Sequence, residues 1–195
     1  MASSESEDNA ADTGEPPAST VEPLAPGEEG QEWYAFRTRP RQEKKAADRF
    51  ADLSLHHYLP LRERVTRKGR GRYSFQVPLF PGYIFGCCDL GERLQMMQSG
   101  HLAQWIEVVD QSRLLEELRG IEIACQSGQD VRLFPKLQRG RWVRVVSGPL
   151  AGVSGRISRR ESRYRVVLEL TALGSAVAVE VDMQDVALEG ETEPA

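Results

Sequence analysis

The sequence predicts an α+β protein in two parts. An N-terminal antiparallel sheet with helices packed against it is followed by a small barrel of five strands. Three observations carry this expectation. Strand-like and helix-like periodicities alternate between residues 32 and 125, the pattern of an antiparallel sheet with helices packed on one face. A polar, proline-bearing stretch, 126–138, interrupts them. After Arg139 the helical period is lost, and short β-branched runs separated by Gly or Ser take over.

The elements follow in order. Residues 33–39 read as a strand, with aromatics at Trp33, Tyr34 and Phe36. Pro40 opens a helix from Arg41 to Leu53, whose apolar positions Ala46, Phe50 and Leu53 share one face. Residues 56–65 are extended, with Pro60 marking an edge or bulge. The basic loop Arg67-Lys68-Gly69-Arg70-Gly71-Arg72 leads into two further extended runs, 73–77 and 79–86. Asp89 caps a short helix with Leu90, Leu94 and Met97 on one face. Residues 105–109 suit a strand. A helix then starts at Asp110 or Ser112, with Leu114, Leu118, Ile121 and Cys125 in register, and Gly128 ends it. Five short strands follow at 142–146, 153–159, 164–170, 176–181 and 185–188.

Charge is unevenly spread along the 195 residues. The formal net charge is −4, yet residues 1–32 hold nine acids and no Lys or Arg. The remainder therefore has 20 acids against 25 bases. Residues 1–31 read as a disordered acidic tail with almost nothing to bury. Residues 37–72 carry twelve bases against four acids. An acidic mean thus conceals a basic segment suited to phosphate.

Several classes fall away. No apolar run is long enough to span a membrane, and neither a secretory signal nor a transit peptide opens the chain. Cys87, Cys88 and Cys125 form no disulfide framework and read as buried free thiols, as suits the cytoplasm. His56, His57 and His101 lack metal-ligand spacing. Catalytic residues, cofactors and metals are therefore not expected.

Two segments carry the most information. The first is Val77-Pro78-Leu79-Phe80-Pro81-Gly82-Tyr83-Ile84-Phe85, an aromatic strand entered through a Pro-Gly turn. Tyr83 and Phe85 are two apart and share a face, which is either core or contact surface. The second runs from Gly140 to Ile157. Val143 and Val145 alternate ahead of a Gly148-Pro149 turn, and Gly152 and Gly155 permit tight backbone angles as a second strand begins.

These residues resemble the NusG family of transcription elongation factors. The first segment is similar to the PLFPGYxF strand of the family's N-terminal domain, and Trp33-Tyr34 with Glu43-Lys44-Lys45 is similar to that domain's opening. The second is similar to the KOW motif, here Gly140, Val143, Val145, Gly148, Pro149, Gly152 and Gly155. The resemblance implies a tail at 1–31, a ferredoxin-like polymerase-binding domain at 32–125, a linker at 126–138 and an SH3-like KOW barrel at 139–190. It implies a non-enzyme that acts as a monomer, binds the clamp helices of the largest RNA polymerase subunit and suppresses pausing or termination. Phe80, Pro81, Tyr83 and Phe85 fall on the family's polymerase-contacting strand, and Trp105 is expected to border the same face.

The segment from Tyr58 to Arg64 and the basic loop after it are more similar to specialised paralogues, RfaH and its relatives, which act at selected operons. In those paralogues basic residues near the end of the first strand lie near non-template DNA. Here the corresponding residues are Arg37 and Arg39, to which the loop cations Arg67, Lys68, Arg70 and Arg72 are added. Around Leu94-Gln95-Met96 the His-Thr-Thr stretch of RfaH is missing, leaving Gln95 and Gln98 as the side chains suited to base edges. Leu173-Gly174-Ser175 stands where NusG carries a Phe-Gly-Arg turn. A ribosomal-protein partner for the barrel remains open, and coupling to Rho is in doubt. Two alternatives stay in view: a housekeeping NusG, and a KOW-type RNA-binding protein of the translation machinery.

Overall fold

A computed structural model describes residues 24, 26–68, 71–134, 141–160 and 163–188. Twelve strands and three helices are formed among them. In chain order they are β1 (Glu32–Thr38), α1 (Glu43–Asp52), β2 (His57–Tyr58), β3 (Leu61–Lys68), β4 (Gly71–Pro78), β5 (Tyr83–Cys88), α2 (Leu90–Gln98), β6 (Leu102–Ile106), α3 (Gln111–Gln126), β7 (Arg132–Phe134), β8 (Trp142–Val145), β9 (Ser154–Arg160), β10 (Arg163–Leu170), β11 (Ser175–Val181) and β12 (Val186–Leu188).

The N-terminal part is a four-stranded antiparallel sheet in the order β2-β5-β1-β6. Strand β1 lies in the interior of this sheet, and its alternating side chains feed two cores. Tyr34 and Phe36 join Ala46 and Phe50 of α1, Ile84, and Met96 of α2. Trp33 and Ala35 join Phe85, Cys87 and the Leu114, Leu118 and Ile121 stripe of α3. The expectation of helices on one face is corrected: α1 and α2 cover one face and α3 the other, and the aromatic density of Trp33 to Phe36 reflects burial on two sides.

Helix boundaries follow local chemistry. Asp89 accepts the Glu92 N–H at 2.8 Å while the Glu92 carboxylate accepts the Asp89 N–H at 2.8 Å, a complete capping box at α2. Asp110 caps α3 by accepting the Arg113 N–H at 2.9 Å. Helix α1 begins at Glu43, later than its proline suggests, because Arg41 takes a left-handed φ of 60°. One helical face is corrected. Leu90 and Leu94 of α2 are exposed, and Met96 is buried in their stead. Helix α2 turns Met96 inward to the cluster of Phe36, Phe50 and Ile84, and the Arg93 guanidinium lies 4.7 Å from the ring of Tyr34.

The C-terminal part is a six-stranded sheet, ordered β12-β8-β9-β10-β11-β7. Val143, Val145, Val153, Val166, Leu168, Leu170, Val177 and Val179 fill its interior. The five expected strands all form. The sixth, β7, comes from the stretch read as linker: Arg132, Leu133 and Phe134 pair with Ala178, Val177 and Ala176. Three residues are too few to show a period, and only the exposed backbone edge of β11 makes them a strand.

The two parts touch through α3, which packs on β10. The Glu117 carboxylate accepts the Thr171 N–H at 2.8 Å and also the Thr171 hydroxyl. The reading of 1–31 as a tail with nothing to bury fails at Leu24. That side chain is 3% exposed, and the Arg119 guanidinium donates to its carbonyl at 2.6 and 3.1 Å. Residues 1–23 and 25 lie outside the described residues, as do Arg70, Gly140 and residues 135–138.

Candidate functional site

The end of the N-terminal sheet is built from a proline-glycine turn locked onto α1. Gly82 has φ of 85°, a left-handed angle that a side chain would strain. Its N–H donates to Glu43 Oε1 at 2.8 Å, and its carbonyl accepts the Thr38 N–H at 2.8 Å. The Tyr83 N–H donates to the Phe80 carbonyl at 3.1 Å, closing the turn. Pro81 is thereby held outward, exposed, with Tyr83 half-buried beside it. Tyr83 pairs across the ladder with Arg37, whose side chain is exposed, and Arg39 follows on the same exposed end. An amphipathic ring and two cations thus meet at one rim of the sheet.

The predicted docking residues do not all belong to this rim. Phe85 is 0% exposed and Phe80 3%, their rings meeting edge to face at 6.5 Å inside the core beneath α3. Both rings are buried, so the expected direct contact by Phe80 and Phe85 is corrected: they support the strand from beneath. The reason is α3, whose Leu114, Leu115 and Leu118 cover the face that a strand-level reading left open.

Trp105 is likewise separated from Tyr83. It pairs with Phe36, which pairs with Ile84, so Trp105 lies on the α2 face. Tyr83 and Phe85 lie on the opposite face, because adjacent residues of β5 point oppositely. Trp105 is 38% exposed and carries the Arg93 guanidinium 4.9 Å from its ring. The expectation that it borders the Tyr83 face is therefore not met.

Strands β3 and β4 form the second component. They pair from Leu61↔Pro78 to Lys68↔Gly71 and join no other sheet. The expected basic loop is the far end of this two-stranded ribbon. Arg67 and Arg72 face each other across the ladder, and Lys68 pairs with Gly71. Arg72 is exposed, as are Arg64, Val65, Tyr73 and Phe75. Sequence reasoning missed the ribbon's rings. Their signal was present in the alternation of Arg62, Arg64 and Thr66 against Tyr73, Phe75 and Val77.

The KOW-like residues form a separate constellation. Val143 and Val145 are buried, and Gly148 and Gly152 sit at φ of 78° and 91° around Pro149. Trp142 pairs with Arg156, whose guanidinium lies 5.0 Å from the indole ring and donates to Glu169 at 3.1 Å. A cleft of about 670 Å³ separates this surface from α3, lined by Arg113, Glu117, Arg119, Trp142, Arg144 and Leu168 among others. Among the described residues no group of His, Cys, Asp and Glu is arranged to hold a metal ion. Burial pushes the Cys87 and Cys125 thiols up to about 11 and Cys88 up to about 12, which keeps all three protonated.

This architecture has relatives among known proteins. A family sequence model described as "Transcription termination factor nusG" matches residues 31–122. The "Transcription termination/antitermination protein NusG" of Thermus thermophilus is 30% identical over 182 residues, covering 80% of this chain and 97% of that protein. The chain belongs to the NusG family. The NusG of Deinococcus radiodurans is 27% identical over 186 residues, covering 80% of this chain and 98% of its own length. A solved structure titled "Crystal Structure of MjSpt4:Spt5 complex conformation B" is 14% identical and covers 84% of this chain and 99% of that one, with a TM-score of 0.27. By these names the family acts in transcription termination and antitermination. The family match spans β1 to most of α3, which includes the rim at Tyr83 and the whole ribbon. No helix among the described residues is long and apolar enough to cross a membrane.

Proposed function

We propose that this NusG-family chain binds the clamp helices of the largest RNA polymerase subunit through the rim formed by Pro81 and Tyr83, and that it suppresses pausing or termination at selected operons. The observation that carries the reading is the locked turn at Gly82, which holds Pro81 out beside Tyr83. A ring with few rotors, fixed in advance, contributes contact area at little entropic cost. Phe80 and Phe85 contribute by stiffening the strand. Arg37 and Arg39 at the same rim, with Arg67, Lys68 and Arg72 of the ribbon and with Arg70, which lies outside the described residues, take phosphates of the non-template DNA. Such contacts need only a density of positive charge. The C-terminal barrel is left for a second partner, a ribosomal protein. The Leu173-Gly174-Ser175 turn offers neither ring nor cation for Rho.

The test is retention on core RNA polymerase. Tyr83→Ala is expected to weaken retention and to abolish relief of pausing in vitro, while Trp105→Ala on the other sheet face leaves both near wild type. Equal retention of wild type and Tyr83→Ala removes the rim as docking surface.

A second reading is a general NusG acting at all operons. It is favoured by the two relatives, both called NusG and matched over 97% and 98% of their length. Mapping chromosomal occupancy together with polymerase separates the two: genome-wide signal means a general factor, and a few loci mean a specialist.

A further inference from the structure

The β3–β4 ribbon has two faces of different chemistry. Residues opposite one another in a ladder share a face, and successive residues alternate. One face takes Arg62, Arg64, Thr66 and Lys68 from β3 and Gly71, Tyr73, Phe75 and Val77 from β4. It holds no acid. The other face takes Glu63, Val65, Arg67, Arg72, Ser74 and Gln76 and is mixed in charge.

On the first face Tyr73 is 59% exposed and Phe75 45%. A two-stranded ribbon alone gains little from leaving rings in water, and exposed rings on such an element mark a contact surface. Each ring has a cation or hydroxyl partner across the ladder: Arg64 opposite Phe75, and Thr66 opposite Tyr73. Gly71 belongs to the same arrangement. A Cβ at Gly71 would stand 2.8 Å from Tyr73 Cε2, so the missing side chain lets the Tyr73 ring lean back along the ribbon.

The spacing selects the ligand. Rings two residues apart on a strand sit about 6.8 Å apart. Stacked bases of a duplex repeat about every 3.4 Å, with their faces covered by their neighbours. An unstacked single strand offers free base faces at the wider pitch, and aromatic side chains stack them regardless of sequence. Charge argues for nucleic acid over a protein partner: residues 61–78 hold six cations and one acid.

We propose that the acid-free face of the β3–β4 ribbon is a platform for single-stranded nucleic acid, on which Tyr73 and Phe75 each stack a base while Arg62 and Arg64 take the flanking phosphates. It rests on the nucleic-acid contact proposed above and adds the strandedness of the ligand and the two rings that read it.

The experiment uses the full chain and fluorescence anisotropy at low salt. The probes are a short labelled oligothymidylate, an oligouridylate of the same length and a mixed-sequence DNA duplex. Both single strands are expected to bind more tightly than the duplex. Their ratio shows whether the platform prefers DNA or RNA. Tyr73→Ala with Phe75→Ala is expected to lose roughly tenfold per ring on the single strands and little on the duplex. The swap Tyr73→Phe with Phe75→Tyr keeps both rings and is expected to retain binding, which separates lost stacking from a collapsed ribbon. Arg62→Gln with Arg64→Gln is expected to flatten the salt slope by about one.

Duplex binding as tight as single-strand binding overturns the platform while leaving the phosphate contact intact. Full single-strand affinity in the alanine pair, or loss of it in the ring swap, also overturns it. Failure of every probe to bind removes both the platform and the proposed nucleic-acid contact. Unchanged oligonucleotide affinity with lost polymerase retention in the alanine pair assigns the rings to a protein surface instead. Docking at Tyr83 is read separately from all of these, by polymerase retention of Tyr83→Ala.

Discussion

Glu43 and Gly82 are joined across the end of the N-terminal sheet: the Gly82 N–H donates to the Glu43 carboxylate at 2.8 Å, tying the first residue of α1 to the turn before β5. The bond holds in place the residue that projects Pro81 and orients Tyr83. A backbone N–H given to a carboxylate is a charge-assisted contact, and losing it costs about 1–3 kcal/mol. Glu43→Ala is therefore expected to lower stability by that order in a urea titration. It is also expected to weaken polymerase retention more than Glu63→Ala, a carboxylate on the mixed face of the ribbon. Equal retention of the two variants separates the turn from docking.

Phe85, Tyr83 and Trp105 stand close in space or sequence but in three different settings, so their alanine variants are expected to fail differently. Phe85→Ala removes a fully buried ring and is expected to cost about 3–5 kcal/mol, visible as a large drop in unfolding midpoint. Tyr83→Ala is expected to cost far less stability and to lose polymerase retention. Trp105→Ala breaks the Arg93 stack, worth about 0.5–1 kcal/mol at an exposed site, and leaves retention unchanged. A Tyr83→Ala variant as unstable as Phe85→Ala contradicts the assignment.

The three cysteines make stability fall at alkaline pH. Burial raises the Cys87 and Cys125 thiols from 9.0 to about 11 and Cys88 to about 12. The folded chain therefore favours the neutral thiol. Below pH 9 both states are protonated and this contribution is complete. Between pH 9 and about 12 the unfolded chain loses its protons first, so stability is lost as pH rises. Tyr58, buried against Cys125, acts in the same direction from its ordinary 10.0 upward. Urea midpoints measured from pH 8 to 11 are expected to be flat and then to decline. Cys87 and Cys88 are buried and Cys125 is half-buried, so thiol reagents at pH 8 are expected to label Cys87 and Cys88 only after denaturant is added. Rapid labelling of either in the folded chain contradicts the burial.

Leu24 and Arg119 anchor the N-terminal segment on α3. Arg119→Ala removes two donors to the Leu24 carbonyl, and Leu24→Ala removes the apolar plug. Each is expected to speed proteolysis ahead of Glu32 without lowering the global unfolding midpoint by more than about 1–2 kcal/mol. Proteolysis at the wild-type rate in both variants means that the anchor does not hold in solution.

Much of this protein was determined by local sequence. The aromatic run from Trp33 to Phe36, the capping box at Asp89 and Glu92, the α3 stripe from Leu114 to Ile121 and the five β-branched runs each follow from near-neighbour chemistry, because strand propensity, periodicity and caps act within a few residues. What tertiary structure alone decided is which faces stay open. Phe80 and Phe85 went under α3, Trp105 fell on the face opposite Tyr83 through ladder register, β7 was recruited by a strand edge distant in sequence, and Leu24 found its place against a helix 95 residues away. Each of these depends on partners remote along the chain. Burial and register are properties of pairs of segments, and one segment read alone does not contain them.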